Sequence, residues 1–484
     1  MPSPADAGHS RLLPKLSMSE NPDDHSEAAP NRNRTAEFIA NPRRAVWVLS
    51  LPVMAGMGIQ TLYTLTDMAF VGRLGGDAVA ALTFNLPLAF FAIGIAFGLG
   101  AGATAVIARH IGADDKRAAD NAAEHAIILG VILGIVIVAL ALGLRVPILA
   151  ALGAEGRALE MAAIYFGVAA PGFLLGIVNV TCSSILSGEG DTRTPMAIQG
   201  SGTLLNIVLD PLFIFTADMG VRGAAAATVA SQGLAFVAFI VYILVRKKTY
   251  VEFNFRSFVP SMQVLKGILR VGLPASASMV IMAVGGMFYN RIVSLFGTEA
   301  VAGLGVGGRM DAVYILPMIA LSSSQVTLTG MFLGAGRIDL IRQTFRYTVF
   351  CGEILAIGMG VSFWLLAPQL ASLFTNNAAV GEVAVQYVRT VCVGFPFITV
   401  GIISGRVFQG LGSGLPSLVT TTLRVLLVSV PAAWALTRIG GYGLQAVWWC
   451  FVGSAILSSI VALVWIRQRL NQVEAQLSGS NAAS

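Results

Sequence analysis

Charge is scarce in this chain of 484 residues: Asp, Glu, Lys and Arg make up 12% of it, against 56% hydrophobic residues. A soluble domain carries about twice that share of charge, so water is not the main solvent here. The four cysteines, Cys182, Cys351, Cys392 and Cys450, stand apart inside apolar stretches. They offer no CxxC or Cys/His spacing for a metal and read as small buried thiols. Residues 1–42 are polar and rich in Pro, Asp and Asn, without the apolar core of a signal peptide. A disordered cytoplasmic tail is expected there, with Met18 as a second plausible start. No ten-residue segments alternate polar with apolar, which excludes a membrane β-barrel. No phosphate-binding GxxxxGK[ST] loop is present, so ATP is not the energy source. HExxH, a Gly-x-Ser-x-Gly with a distant His, and protease-like paired aspartates are missing too, so the chain is not expected to be an enzyme. The net charge of +6 resides in short loops, where membrane topology accounts for it, and nucleic acid is not an expected partner.

What fills the sequence instead is long apolar runs, with a mean hydropathy of +0.77. They recur roughly every 35 residues and each exceeds about 20 residues, enough to cross about 30 Å of hydrocarbon. Twelve spans are expected, the first over 44–72 and the last over 443–466, giving an all-α polytopic membrane protein. The 53 glycines and 19 prolines suit membrane helices, whose neighbours re-satisfy freed backbone groups.

Positive charge orients the spans. Arg43/Arg44, Lys116/Arg117, Arg246/Lys247/Lys248 with Arg256 and Lys266, Arg337/Arg342 and Arg467/Arg469 fall on one side, which the positive-inside rule makes cytoplasmic. Both termini are expected there, with the chain in the cell inner (plasma) membrane as a monomer.

The halves repeat one another. LPVMAGMGIQTLYTLTDMAFVGRLGGDAVAAL lies over LPASASMVIMAVGGMFYNRIVSLFGTEAVAGL, so that Pro52 falls on Pro274, Gly75 on Gly297, Ala78 on Ala300, Val79 on Val301, Leu82 on Leu304 and Gly112 on Gly334. An even number of spans per unit makes these parallel repeats about an axis along the membrane normal, the construction of transporters that rock two bundles around a central site. The expected organisation is a tail (1–42), an N-terminal six-helix lobe (43–247), a cytoplasmic linker (248–265), a C-terminal six-helix lobe (266–468) and a second tail (469–484).

Carboxylates inside hydrocarbon cost about 2.5–3.5 kcal/mol or more and are seldom kept without a role. Asp67 lies deep in the first span, and Asp210 in the fifth shares a helix face with Asn206, four residues before it. Thr228 adds a hydroxyl in the sixth span. Such a set serves either to share a proton or to give oxygen ligands to Na⁺; the alternative is that each aspartate caps or pairs locally near a helix end. The repeat sets Tyr289, Val430 and Leu426 opposite Asp67, Asp210 and Asn206. A structural role common to both halves would keep the carboxylates in both, so the asymmetry points to function. Met54, Met57, Met282, Met287 and Phe288 suit an adaptable cavity as well as plain packing. Gly303, Gly305, Gly307 and Gly308 follow no soluble strand and read as close helix packing.

Four segments, DMAFVGRLG, SGEGDTRTP, NIVLDPLFIF and LGAGR, resemble those of the multidrug and toxic compound extrusion (MATE) transporters, and the likeness covers nearly the whole chain. It looks closest to the branch named for a DNA-damage-inducible relative. The resemblance implies two six-helix lobes in a V and drug efflux in exchange for H⁺ or Na⁺. By motif it implies a cation site at Asp67, Asn206, Asp210 and Thr228, a cavity lined by Gln60, Tyr63 and Asn179, and a bend of the first helix at Pro52. Another branch places acids in the seventh and tenth spans, where this chain has Asn290 and Arg406, so no cation site is carried over to the C-lobe. Asp311 is expected to pair with Arg309, and Glu353 and His125 to face loops or polar neighbours. A lipid-linked oligosaccharide flippase is the competing reading within this architecture; it calls for a basic cavity, whereas the expected one is acidic and apolar.

Overall fold

The computed structural model describes residues 33–483 except 75 and 257; the side chains of 65, 68, 69, 71, 72, 76–82, 86–88 and 479–483 are not described. Met18, Gly75 and the side chains of Ala78, Val79 and Leu82 thus lie outside the described residues. A backbone in lipid finds no water to bond, so each apolar run satisfies its own N–H and C=O groups as a helix. Twelve helical segments are long and apolar enough to cross a membrane, and among the described residues there are no strands.

In the N-terminal half these are α2 (Pro42–Gly72), α3 (Gly76–Gly112), α4 (Lys116–Ala151), α5 (Gly156–Gly188), α6 (Arg193–Pro211) and α7 (Val221–Ile240), preceded by a six-residue α1 (Thr35–Ala40). The C-terminal half holds α8 (Met262–Val293), α9 (Thr298–Gly334), α10 (Ile338–Ser372), α11 (Ala378–Val391) continued by α12 (Phe395–Gly410), α13 (Leu415–Thr422) continued by α14 (Val430–Arg438), and α15 (Leu444–Ala483). α15 runs through the segment read from sequence as the second tail. Leu470 and Val473 are buried in the core there, and Glu474 and Asn471 both hold Arg342 at 2.7 Å.

Three stretches widen to π-helix: Leu212–Thr216, Val241–Val245 and Leu423–Ser429. The first follows Pro211 and the third precedes Pro431, positions that correspond in the repeat. Pro431 supplies no N–H to the turn before it, and the widened turn there absorbs the mismatch.

The lobes join at the end that carries the 246–261 linker. α3 and α9 have 37 residues each and reach about 55 Å, well past about 30 Å of hydrocarbon. Their far ends cross at Gly112 and Gly334, the repeat-related pair. A Cβ at Gly112 would collide with the Met331 carbonyl, and one at Gly334 with the Arg109 carbonyl, so only glycine permits this contact. Hydrogen bonds tie the lobes at the same end: Ser50 to the Leu321 carbonyl (3.1 Å), Thr327 to the Ser187 carbonyl (2.8 Å) and Trp47 to the Tyr347 hydroxyl (3.1 Å). The largest apolar core, including Phe38, Leu49, Ile107, Ile268, Leu328, Met331 and Phe408, spans both lobes here. A second core fills the C-lobe around Tyr314, Tyr387, Phe395 and Trp448. Away from that seam, the N-lobe holds smaller separate clusters among the described residues.

Candidate cation site

On α2, Met57, Gln60, Tyr63 and Asp67 recur at intervals of three, three and four, so they form one stripe along the helix. The stripe runs from an exposed Gln60 to a half-buried Tyr63 and Asp67. Helix α2 continues unbroken through Pro52. Asp210 sits at the last turn of α6, fully buried, and neither carboxylate oxygen has a hydrogen-bond donor among the described residues. One turn earlier, Asn206 donates to the Ser231 hydroxyl of α7 at 3.2 Å, while its Oδ1 is buried without a partner. Thr228 of α7 donates back to the Ala224 carbonyl (3.1 Å) and lies beside Tyr63. Tyr63 and Tyr165 of α5 both lie within electrostatic reach of Asp67 and Asp210, and Asp210 within reach of Asp67. The four residues expected to form the cation site therefore gather between α2, α6 and α7.

Buried polar atoms in proteins are nearly always paired. Here Asp210 Oδ1 and Oδ2, Asn206 Oδ1, Asn179 Oδ1 and Gln232 Oε1 are all buried acceptors lacking donors. Around Asp210 and Asn206 the unpartnered atoms are oxygens, which suit a hard cation or a proton. Asn179 belongs to the α5–α7 seam, where its amide donates to the Gln232 carbonyl (3.0 Å). Met282 and Met287 on α8 are 47% and 72% exposed but stand about 140° apart around the helix, so they do not form one wall. Tyr165, Ser231 and Gln232 were not singled out from sequence. The available signal was a polar residue in each of two apolar runs, MAAIYFGVAAP and AAATVASQGLAF, with Ser231 and Gln232 one turn beyond Thr228.

In the C-lobe the position opposite Asp67 is filled by Tyr289, whose hydroxyl donates to the Val447 carbonyl (2.7 Å) and accepts from Ser429 (3.1 Å). Asp311 does not pair with Arg309. Tyr387 donates to it, and Arg309 lies over the Phe374 ring at 5.6 Å. Residues two apart on a helix point about 200° away from each other and cannot meet. His125 faces the linker as expected: its Nε2 accepts from Ser261 N–H (2.8 Å) and its ring packs on Phe258. Glu353 differs from expectation, because its Oε1 is buried without a partner. The adjacent Gly352 brings α10 close against Thr399 and Ile403 of α12.

The SGEGDTRTP loop proves structural. Asp191 caps α6 by accepting from Arg193 N–H, Thr194 N–H and the Thr194 hydroxyl. Gly190 takes φ +84°, a conformation open to glycine, and there it meets Phe38 of α1. Glu189 accepts from Tyr250 N–H (3.1 Å) and Val251 N–H (3.0 Å) and so pins the linker. Burial pushes the Glu189 carboxyl up to about 8, against the downward pull of those two N–H groups.

The MatE family model matches residues 52–212 and 274–435, two blocks that begin at the repeat-related prolines. Among curated proteins the chain is similar to the probable multidrug resistance protein NorM of Thermotoga maritima, 26% identical over 89% of this chain and 93% of that protein. It is also similar to the multidrug export protein MepA of Staphylococcus aureus, 25% identical over 87% of this chain and 92% of that one. Among solved structures it resembles a MOP superfamily transporter from Pyrococcus furiosus, with TM-score 0.88 and 33% identity over 92% of this chain and 99% of that one. A MATE family transporter of the MOP superfamily in an outward-facing conformation gives TM-score 0.86 and 34% identity, covering 90% and 97%. With two repeated six-span lobes, and matched over both of them, this chain belongs to the MatE family of membrane transporters.

Proposed function

We propose that the protein is a secondary antiporter that exports lipophilic, cationic compounds in exchange for H⁺ or Na⁺, the coupling cation being held by Asp67, Asn206, Asp210 and Thr228. The observation that carries this reading is Asp210, fully buried with both oxygens unpartnered. A buried carboxylate without a counter-charge costs several kcal/mol, which a bound proton or Na⁺ removes. The α2 stripe then links the cavity to the cation: Gln60 and Met57 face the substrate, and Tyr63 connects through Thr228 to the acids. Asn179, Met282 and Met287 complete the proposed lining, and Pro52 supplies the hinge of α2. The multidrug export named for the Staphylococcus aureus relative agrees with a cavity of methionines and aromatics. The linker end is read as cytoplasmic, in the cell inner membrane, with both termini on that side, and the protein as a monomer.

A second reading, movement of an anionic amphiphile such as a lipid-linked oligosaccharide, has one observation in its favour. Arg406 and Arg424 lie within C-lobe spans with no ion-pair partner among the described residues. The Pyrococcus furiosus structure is itself described as having a binding pocket of reversed polarity that suggests a different function. The deciding experiment is transport in inverted vesicles under an imposed pH or Na⁺ gradient, comparing ethidium with an anionic dye. Uptake of ethidium alone is expected, and transport of only the anionic dye overturns the acidic-lobe reading. For orientation, a cysteine at position 250 should react with an impermeant reagent from the cytoplasm and one at 376 from outside; the reverse pattern defeats it.

A further inference from the structure

At the linker end of α8, Lys266 and Arg270 are both exposed and four residues apart on one face. Neither side chain has a hydrogen bond or ion pair among the described residues. Two like charges at this spacing repel, and no described acid pairs with either. Below them is a cleft of about 380 Å³ whose walls include Leu269, Leu273, Pro274 and Leu415. Leu273 is 62% and Leu415 55% exposed. The opposite face of α8 is engaged with the N-lobe, where Gly267 meets Val106 and Ile268 crowds Gly102 of α3, so the cleft faces outward.

Its shape has a definite origin. Pro274 cannot donate to the Arg270 carbonyl one turn back, and Gly414 N–H takes that carbonyl at 3.2 Å. The α12–α13 loop is thereby drawn against α8, and Ser413 and Leu415 become the far wall.

The N-lobe shows what fits such a place. The repeat sets Arg44 opposite Lys266 and Val48 opposite Arg270, and these two flank a pocket of only about 10 Å³, which shares its walls with Glu37 and Phe38 of α1. The chain itself covers that site with an acid and a buried apolar side chain. Before α8 the corresponding segment is drawn away to α4, by Ser261 N–H to His125 (2.8 Å) and the Val259 carbonyl to Asn121 (3.0 Å), so the C-lobe cleft has no such cover.

We propose that an anionic phospholipid occupies this cleft, its phosphate between Lys266 and Arg270 and one acyl chain along Leu269, Leu273 and Leu415. This rests on the reading that the linker end lies at the cytoplasmic leaflet, where anionic lipids concentrate and basic pockets between membrane helices hold their headgroups.

The test is native mass spectrometry of the full chain titrated with dioleoylphosphatidylglycerol against dioleoylphosphatidylcholine. The wild type should retain the anionic lipid preferentially, and K266Q/R270Q should lose that preference by about 25-fold, two cations near the surface each contributing about fivefold. Both side chains are exposed, so the variant should melt like the wild type. Leu273→Asn should weaken both lipids alike. Equal retention of the anionic lipid by K266Q/R270Q and wild type overturns the proposal, and so does its displacement by millimolar inorganic phosphate, which would leave a plain anion site. Labelling of a Ser413→Cys variant with an impermeant thiol reagent reports the orientation separately: reaction only from outside defeats the orientation and leaves the lipid result to stand or fall alone.

Discussion

Asp210→Asn removes the charge at the centre of the N-lobe and keeps its size. If one monovalent cation exchanges for one cationic drug, no net charge crosses, and the attainable drug ratio equals the cation's concentration ratio. A tenfold pH or Na⁺ gradient then supports about a tenfold drug gradient, worth about 1.4 kcal/mol. If two cations exchange, the extra charge adds about 2.3 kcal/mol for each 100 mV. In either case an uncoupled variant equilibrates at a ratio of about one. Inverted vesicles with ethidium fluorescence under an imposed gradient measure this directly. The variant should also fold. The wild-type site holds two buried carboxylate oxygens without donors, and an amide in their place carries no charge, so its cation-free melting temperature should not fall below wild type. If the cation is Na⁺, adding it at about 100 times its Kd should stabilise the wild type by about 2.7 kcal/mol and the variant not at all; for H⁺ neither responds. Asp67→Asn should match Asp210→Asn, and the double variant should be little worse than either, since groups acting as one unit are not additive. Wild-type uphill export by both single variants would refute the N-lobe mechanism.

The Glu189 carboxyl, pushed up to about 8 by burial from an ordinary value of 4.5, binds its proton more tightly in the folded protein than in the unfolded chain. Its contribution is therefore complete below about 4.5 and lost as pH rises through about 8; the melting temperature should fall progressively between about pH 5 and 8, and Glu189→Gln should flatten that fall. Gly334→Leu places a side chain against the Arg109 carbonyl, and an overpacking cost of about 1–3 kcal/mol should shift the population away from closure at the linker end by about 5- to 150-fold. Spin-label distances across α3 and α9 would report it, and unchanged distances would contradict the packing argument. Asp311 is already bonded by Tyr387, so Asp311→Asn should lower the melting temperature and change gradient-driven export by less than about twofold; abolished coupling would relocate the cation site to the C-lobe.

The twelve spans and their duplication were legible because a membrane span needs only a continuous apolar run, and because Pro52/Pro274 and Gly112/Gly334 carry backbone constraints that both halves share. Asp67 and Asp210 stand out because charge in such a run is costly, and Asn206 because it lies one turn before Asp210 on the same face. Residues whose meaning depends on a partner in another helix did not. Tyr165 and Gln232 are unremarkable until α5 and α7 are packed against the acids, and Asp311 was misassigned to Arg309 because sequence nearness was taken for contact. α1 is six residues long, too short to be a stable helix by itself. It forms where Phe38 is buried against Gly190 and the α9 end, a tertiary event that the polar composition of that segment conceals.

The same skeleton is thus used in two ways. Tyr289, at the position of Asp67, satisfies its hydroxyl on a backbone carbonyl, and the surrounding C-lobe core of Tyr314, Phe395 and Trp448 is largely apolar. Helix packing of that kind has few alternative arrangements. Among the described residues the N-lobe has smaller clusters, and at its centre both Asp210 oxygens and Asn206 Oδ1 are buried without donors. On the proposed reading its best-packed arrangement depends on whether a cation is present, because the unpaired carboxylate penalises the empty state. On the proposed reading, a cation held at Asp210 would change the packing of the N-lobe, and the glycine crossing at Gly112 and Gly334 would carry that change to the seam between the lobes.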